Sequence, residues 1–175
     1  QNLGEIASQI RQFEIAATCF ERVTKLYPNN GIAYSNLGLT LCSLDRLEEA
    51  TACHSKAMKL LPNNTVVINN DASLLHYEDK VEEAEELLRN ALKSHSNDHS
   101  LILTLGLTLM SKGDLKEAFV NYEARWLREP LAARQKSWNL TDSRWRGEPL
   151  AGKTLFVWPE QGFGDFLQFI RYIPL

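Results

Sequence analysis

The chain has 175 residues, 19 Lys and Arg against 22 Asp and Glu, a formal net charge of −3, and 44% hydrophobic residues. A polyanionic partner draws a clear basic excess, so this balance argues against nucleic acid and against an anionic membrane surface. No uncharged apolar run reaches the roughly 18 residues that cross a bilayer, and the composition is that of a folded soluble chain. Cys19, Cys42 and Cys53 are odd in number and lack C-x-x-C spacing, as expected of small buried hydrophobes in a reducing compartment, here the cytoplasm. The opening Gln1-Asn2-Leu3-Gly4 carries no initiator Met, basic stretch or apolar core. It falls partway through a predicted helix, so a piece of a longer protein is expected, with repeats or a cap upstream.

A period of 34 residues organises the first three quarters of the chain. Leu-Gly recurs at Leu3-Gly4, Leu37-Gly38 and Leu105-Gly106, with Asp71-Ala72 in the remaining slot. Ala16, Ala50, Ala84 and Ala118 keep the same register, and Pro28, Pro62 and Pro130 close three units, with Ser96 in the fourth place. The period predicts four helix pairs, over 1–30, 31–64, 65–98 and 99–130. In the second, Tyr34, Leu37 and Leu41 form one apolar stripe and Leu47, Ala50, Ala57 and Leu61 another, separated by the polar turn Ser43-Leu44-Asp45-Arg46. Gly38 and Ala50 permit close approach of the paired helices. Pro62 and Asn63-Asn64 turn the chain into the third unit, expected to be the loosest fit.

Tyr34, Leu37-Gly38, Ala50, Ala57 and Pro62 resemble the tetratricopeptide repeat signature, over about residues 1–130. The resemblance implies an all-α, right-handed α-solenoid that binds protein or peptide on the face lined by the first helix of each pair. Asn2, Asn36, Asn70 and Thr104 precede the Leu-Gly slots on that face. An amide both donates and accepts, so such a ladder can hold an extended peptide, as in the repeats of the O-GlcNAc-transferase-like family that this region resembles. It can equally satisfy neighbouring backbone or face solvent. Leu39, Cys42, Asn69, Ser73, His76, Tyr77, Leu103, Leu107 and Met110 complete the candidate face, whose uncharged mixture suits a neutral peptide.

Residues 65–98 carry a net charge of −5 and the other repeat units none. Glu82-Glu83 and Glu85-Glu86 fall in the first turns of a predicted helix, where the helix dipole favours them, and read as a solvated outer face. His95 and His99 lie in a predicted inter-repeat turn and His54 in a packing position, so no metal site is expected.

Beyond Pro130 the period stops, and residues 131–175 hold three of the four tryptophans and a net charge of +2. Residues 131–152 read as a capping helix followed by an irregular connector with Gly147, Pro149 and Gly152. Leu155-Phe156-Val157-Trp158 reads as a strand, Glu160-Gln161-Gly162-Phe163-Gly164-Asp165 as a glycine loop, and Phe166 to Tyr172 as a helix. Such a loop at a helix start brings backbone N–H groups close to an anion or sugar, with Gly162 and Gly164 as candidates. Trp145-Arg146-Gly147, Pro149-Leu150-Ala151-Gly152-Lys153 and Glu160 to Asp165 together resemble the start of a heptosyltransferase-like glycosyltransferase of the two-Rossmann-domain (GT-B-like) kind fused to tetratricopeptide repeats.

On that resemblance, residues 153–175 are a truncated α/β start, Asp165 a candidate general base and Glu160 a second candidate, with a nucleotide sugar as donor of the parent protein. Asp165 is also placed to act as a helix N-cap. Lacking a donor domain, this chain alone is expected to have no activity and no cofactor. An isolated strand at 155–158 cannot satisfy its backbone, so this segment is expected to be disordered, folded back on the last repeat, or paired with another chain by self-association.

Overall fold

A computed structural model describes Gly4, residues 12–128, Ala133, Trp145 and residues 148–154. The Cα trace divides into two units, Gln1–Arg134 and Gln135–Leu175. In the first unit the elements are α1 (Phe13–Leu26), α2 (Gly31–Ser43), α3 (Leu47–Leu60), α4 (Thr65–Tyr77), α5 (Val81–Ser94), α6 (His99–Lys112) and α7 (Leu115–Tyr122), then a 3-10 turn, Glu123–Leu127. The described residues contain no strand. Helix α2 pairs with α3, α4 with α5 and α6 with α7, while the first helices form a layer in which α2 packs on α4 and α4 on α6.

Local chemistry sets the helix starts with the same period. Asn30 Oδ1 accepts from the Ala33 N–H at 3.0 Å, Asn64 Oδ1 from Val66 and Val67 at 3.1 and 3.2 Å, and Asp98 Oδ1 from Ser100 and Leu101 at 2.9 and 3.1 Å. Each first helix thereby satisfies amides that its opening turn leaves without an intrahelical acceptor. The second helices have no side-chain cap. They are entered through a left-handed residue instead, Asp45 at φ 60°, Asp79 at φ 59° and Gly113 at φ 83°. A short polar side chain tolerates that conformation, and glycine adopts it without a Cβ clash.

Packing follows from the small residues of the repeat. Ala16, Ala50, Ala84 and Ala118 are each 0% exposed. A Cβ on Gly4 would lie 2.9 Å from Phe20 Cε1, one on Gly38 2.5 Å from His54 Cδ2, and one on Gly106 2.9 Å from the Tyr122 backbone nitrogen. Phe20, His54 and Tyr122 are themselves 34 residues apart, and the intervening place belongs to Leu88, fully buried beside Ala72. The core forms two clusters, one around Phe20, Leu37, Leu41 and Leu74, the other around Ile68, Leu88, Leu101, Leu105 and Leu109.

Part of the acidic surface of α5 is neutralised by its neighbours. Arg89 donates twice to Glu117, at 2.9 and 2.8 Å, and once to Glu85 at 2.7 Å, and Lys112 also bonds Glu85. These cations hold the Glu85 carboxyl below its ordinary range, Lys112 first and Arg89 second. The cluster is largely exposed, so Arg89→Ala is expected to cost less than about 1 kcal/mol. The difference should narrow when urea titrations are repeated at high salt.

In the second unit, residues 148–154 form no regular element. Trp145 Nε1 donates to the Glu148 carbonyl at 2.7 Å, and Lys153 N closes a turn on Leu150 O at 2.8 Å, with Gly152 at φ 73°. Ala133 is helical; the rest of the expected capping helix, Pro130, and the expected strand, loop and helix of residues 155–175 lie outside the described residues.

Candidate functional site

The candidate face lies on the first helices α2, α4 and α6. Their sequences carry only Asp71 and Lys112 as acid or base besides histidine, and both are engaged toward second helices, Asp71 near His54 of α3 and Lys112 with Glu85 of α5. What remains for the face is uncharged.

Its polar groups fall into rungs between repeats. Asn70, 8% exposed, donates from Nδ2 to Ser35 Oγ at 2.9 Å. One period later Thr104 Oγ1 donates to Asn69 Oδ1 at 2.6 Å. Both bonds join the residue before a Leu-Gly slot to the preceding helix 35 residues back, so they are one contact repeated. His76 Nε2 and Thr108 Oγ1, 2.8 Å apart, form a third rung between α4 and α6. Sequence reasoning singled out Asn70, Thr104, Asn69 and His76 but missed the partners Ser35 and Thr108; a separation of one period plus one residue, shared by Ser35–Asn70 and Asn69–Thr104, was the available signal for Ser35, whereas Thr108 lies 32 residues from His76, off that spacing. Asn70→Ala would leave the fully buried Ser35 hydroxyl without its donor. A loss of about 1–3 kcal/mol in chemical denaturation is expected.

The remaining candidates lie around these rungs. Asn36, Leu39, Ser73, Leu103 and Met110 are half-buried, and Ser73 donates to the Asn69 carbonyl at 3.0 Å. Tyr77 and Leu107, 55% and 47% exposed, are the sequence neighbours of the His76–Thr108 bond. Cys42 is buried, and burial with the nearby Glu78 pushes its thiol up to about 11. A thiol so raised is a packing group rather than a nucleophile.

His54 and Asp71 form the most unusual electrostatic pair. His54 is 1% exposed, neither ring nitrogen has a hydrogen-bond partner among the described residues, and Nδ1 is 3.8 Å from Asp71 Oδ1. Burial pushes the imidazole down to about 4, against the smaller opposing pull of Glu78. Burial also raises the Asp71 carboxyl, with Glu78 adding to the effect. Glu78 is held low by its bonds to Lys80 and Thr51, the latter at 2.6 Å.

No group of three or more His, Cys, Asp or Glu placed to hold a metal occurs among the described residues, and none of their helices is long and apolar enough to cross a membrane. Asp165, Glu160, Gly162 and Gly164 lie outside the described residues.

Layered antiparallel helix pairs with a period of 34 residues define a helical-repeat protein. Models of the tetratricopeptide repeat match residues 1–30 and 19–52, so this stretch carries the repeat. Among solved structures, TTC0263, a thermophilic TPR protein in Thermus thermophilus, is similar with a TM-score of 0.64 at 19% identity, over 79% of this chain and 78% of its own. A structure of MamA is similar with a TM-score of 0.55 at 20% identity, over 81% and 88%. MamA 41-end from Desulfovibrio magneticus RS-1 gives a TM-score of 0.57 at 18% identity, over 81% and 75%. At these identities the likeness is one of fold. No curated protein sequence matches the chain.

Proposed function

We propose that the chain is a protein- or peptide-binding scaffold whose partner lies along the first-helix layer at α4 and α6. The observation that carries this reading is the exposure of Tyr77 and Leu107 on helices whose charged groups are turned to the other side of the layer. Large apolar groups beside neutral hydrogen-bonding groups make a surface that gains from covering without desolvating a charge. A photo-crosslinking residue placed at Leu107 should capture a protein partner in cells, whereas one at the exposed outer residue Glu86 should not. Equal capture from both positions would sink the assignment of the face.

We further propose that in a longer parent protein this scaffold recruits substrate for a glycosyltransferase. The support is the motif from Trp145 through Asp165, with Asp165 as general base, Glu160 as the second candidate and a nucleotide sugar as donor. Transfer by the complete open reading frame, lost in Asp165→Asn, is the expected result; an inactive complete protein that still binds partners removes this role and leaves the scaffold. Three thiols free of disulfides fit a cytoplasmic, reducing setting for such a protein.

A further inference from the structure

The period shows which surface residues of the last helix pair depart from the pattern. One and two periods back, the place of Val120 is held by the exposed Glu86 and Ala52, and that of Leu127 by the exposed Lys93 and Lys59. Phe119 takes the place of Glu85 and Thr51, which bond Lys112 and Glu78 of the following pair. At α7 all three places are apolar and lie open: Phe119 is 59% exposed, Val120 72% and Leu127 58%. Leu115, also exposed, extends the patch by one helical turn. Neither α3 nor α5 exposes a large apolar side chain, so the patch is confined to the outer side of α7 and the turn after it. A contiguous apolar surface of this kind marks an interaction site.

The charges beside the patch are placed to match a second copy of themselves. Lys116 and Glu123 are exposed and seven residues apart, and Glu123 keeps helical backbone angles, φ −61° and ψ −20°, so both share the side of α7 that carries Val120. The Glu123 carboxylate accepts from Arg125 at 2.7 Å while its side chain stays 54% exposed. When two copies of the helix cross antiparallel with Phe119 of one opposite Val120 of the other, a three-residue step back from Phe119 and a three-residue step on from Val120 set Lys116 opposite Glu123. Two-fold symmetry makes that contact twice, whereas a parallel crossing would oppose like charges.

We infer that the chain forms a two-fold dimer through the outer side of α7, with Phe119 and Val120 at the axis and Lys116 paired with Glu123 of the other copy. Apolar contact drives the association, and the exposed ion pairs, worth little alone, set its orientation. A contact of this symmetry is closed, so assembly stops at two. One helix pair is at the small end of specific interfaces, which makes the dimer weak and reversible. The inference is independent of the scaffold reading, whose face lies on the first helices α4 and α6. A dimer would present that face twice, and a partner with two matching segments would gain from avidity.

Sedimentation velocity of the full chain, from micromolar to millimolar concentration, should show monomer giving way to dimer and to nothing larger. Val120→Glu puts at this place the acid that Glu86 supplies one period earlier, and should weaken the dimer at least tenfold with an unchanged melting curve. Lys116→Glu and Glu123→Lys should each weaken it about fivefold, since the contact occurs twice, and the two together should restore the parent constant. If Val120→Glu fails to fold, the charge exchange decides alone. A monomer at every concentration would overturn the inference, and the patch would then belong to another segment of the chain or to another protein. A dimer indifferent to Val120→Glu would place the contact elsewhere, residues 155–158 included. Single exchanges without effect, or a double exchange that fails to restore association, would remove the antiparallel pairing.

Discussion

Gly106→Ala is expected to destabilise the chain by about 3 kcal/mol, the upper range for forcing a methyl into a packed contact. The added Cβ would meet the Tyr122 nitrogen at 2.9 Å and the Ala118 carbonyl at 3.1 Å. Both are backbone atoms of α7, so no rotamer change relieves the contact and the helices of the last pair must separate. Separation in turn opens the cluster that contains Leu105, Leu109 and Ala118. Urea denaturation followed by circular dichroism checks the result; a midpoint within error of the parent would mean that α7 yields more easily than its packing implies. Gly31 offers a control, because the Cβ there would meet mainly Leu61 side-chain atoms at 2.7 and 2.8 Å, which can move.

Acid should remove stability through His54, and the sign follows from the direction of its shift. Its folded value, about 4, lies below the ordinary 6.5, so the unfolded chain takes up the proton first. Its contribution is complete above about pH 6.5 and falls until about pH 4, by about 3 kcal/mol at 1.4 kcal/mol per decade. Asp71 works the other way: its raised value lets the folded state bind a proton more readily, which offsets part of the loss as pH falls. Carboxylates held low by cations, Glu85 and Glu117 among them, add losses of their own at acid pH. The difference between the parent and His54→Phe isolates the histidine, and phenylalanine is the residue that Phe20 already places against Gly4 one period earlier. His54→Phe should be as stable as the parent or more so at pH 7, and should gain about 3 kcal/mol on it by pH 4. A gap that stays constant with pH would show that the imidazole is not held neutral.

The solenoid was legible because a repeat states its own geometry several times. Alanine at 16, 50, 84 and 118 and glycine in the Leu-Gly slots mark where helices touch, and those positions are the ones found fully buried or in close approach. The capping role of Asn30, Asn64 and Asp98 was present in the same register, obscured because Asn next to Asn reads first as a turn. Side-chain pairing was harder to see. Asn69 and Asn70 are adjacent, yet one turns its amide to the face and the other buries its amide on Ser35, a difference of about 100° around the helix. Nor does periodicity announce that the two polar departures from the repeat, His54 in the slot of Phe20, Leu88 and Tyr122, and Asp71 in the slot of Leu3, Leu37 and Leu105, meet each other.

That meeting bears on how far folding information travels along the array. In a linear chain of repeats, stability is a sum of unit terms and nearest-neighbour couplings, and the weakest coupling sets where cooperativity breaks. At the α3–α4 joint an apolar contact is replaced by a dry imidazole and a half-dry carboxyl that do not bond each other. Below about pH 6 the array should therefore part there, and amide hydrogen exchange would sort α1–α3 and α4–α7 into two separately opening blocks. With His54→Phe and Asp71→Leu together the two blocks should merge into one.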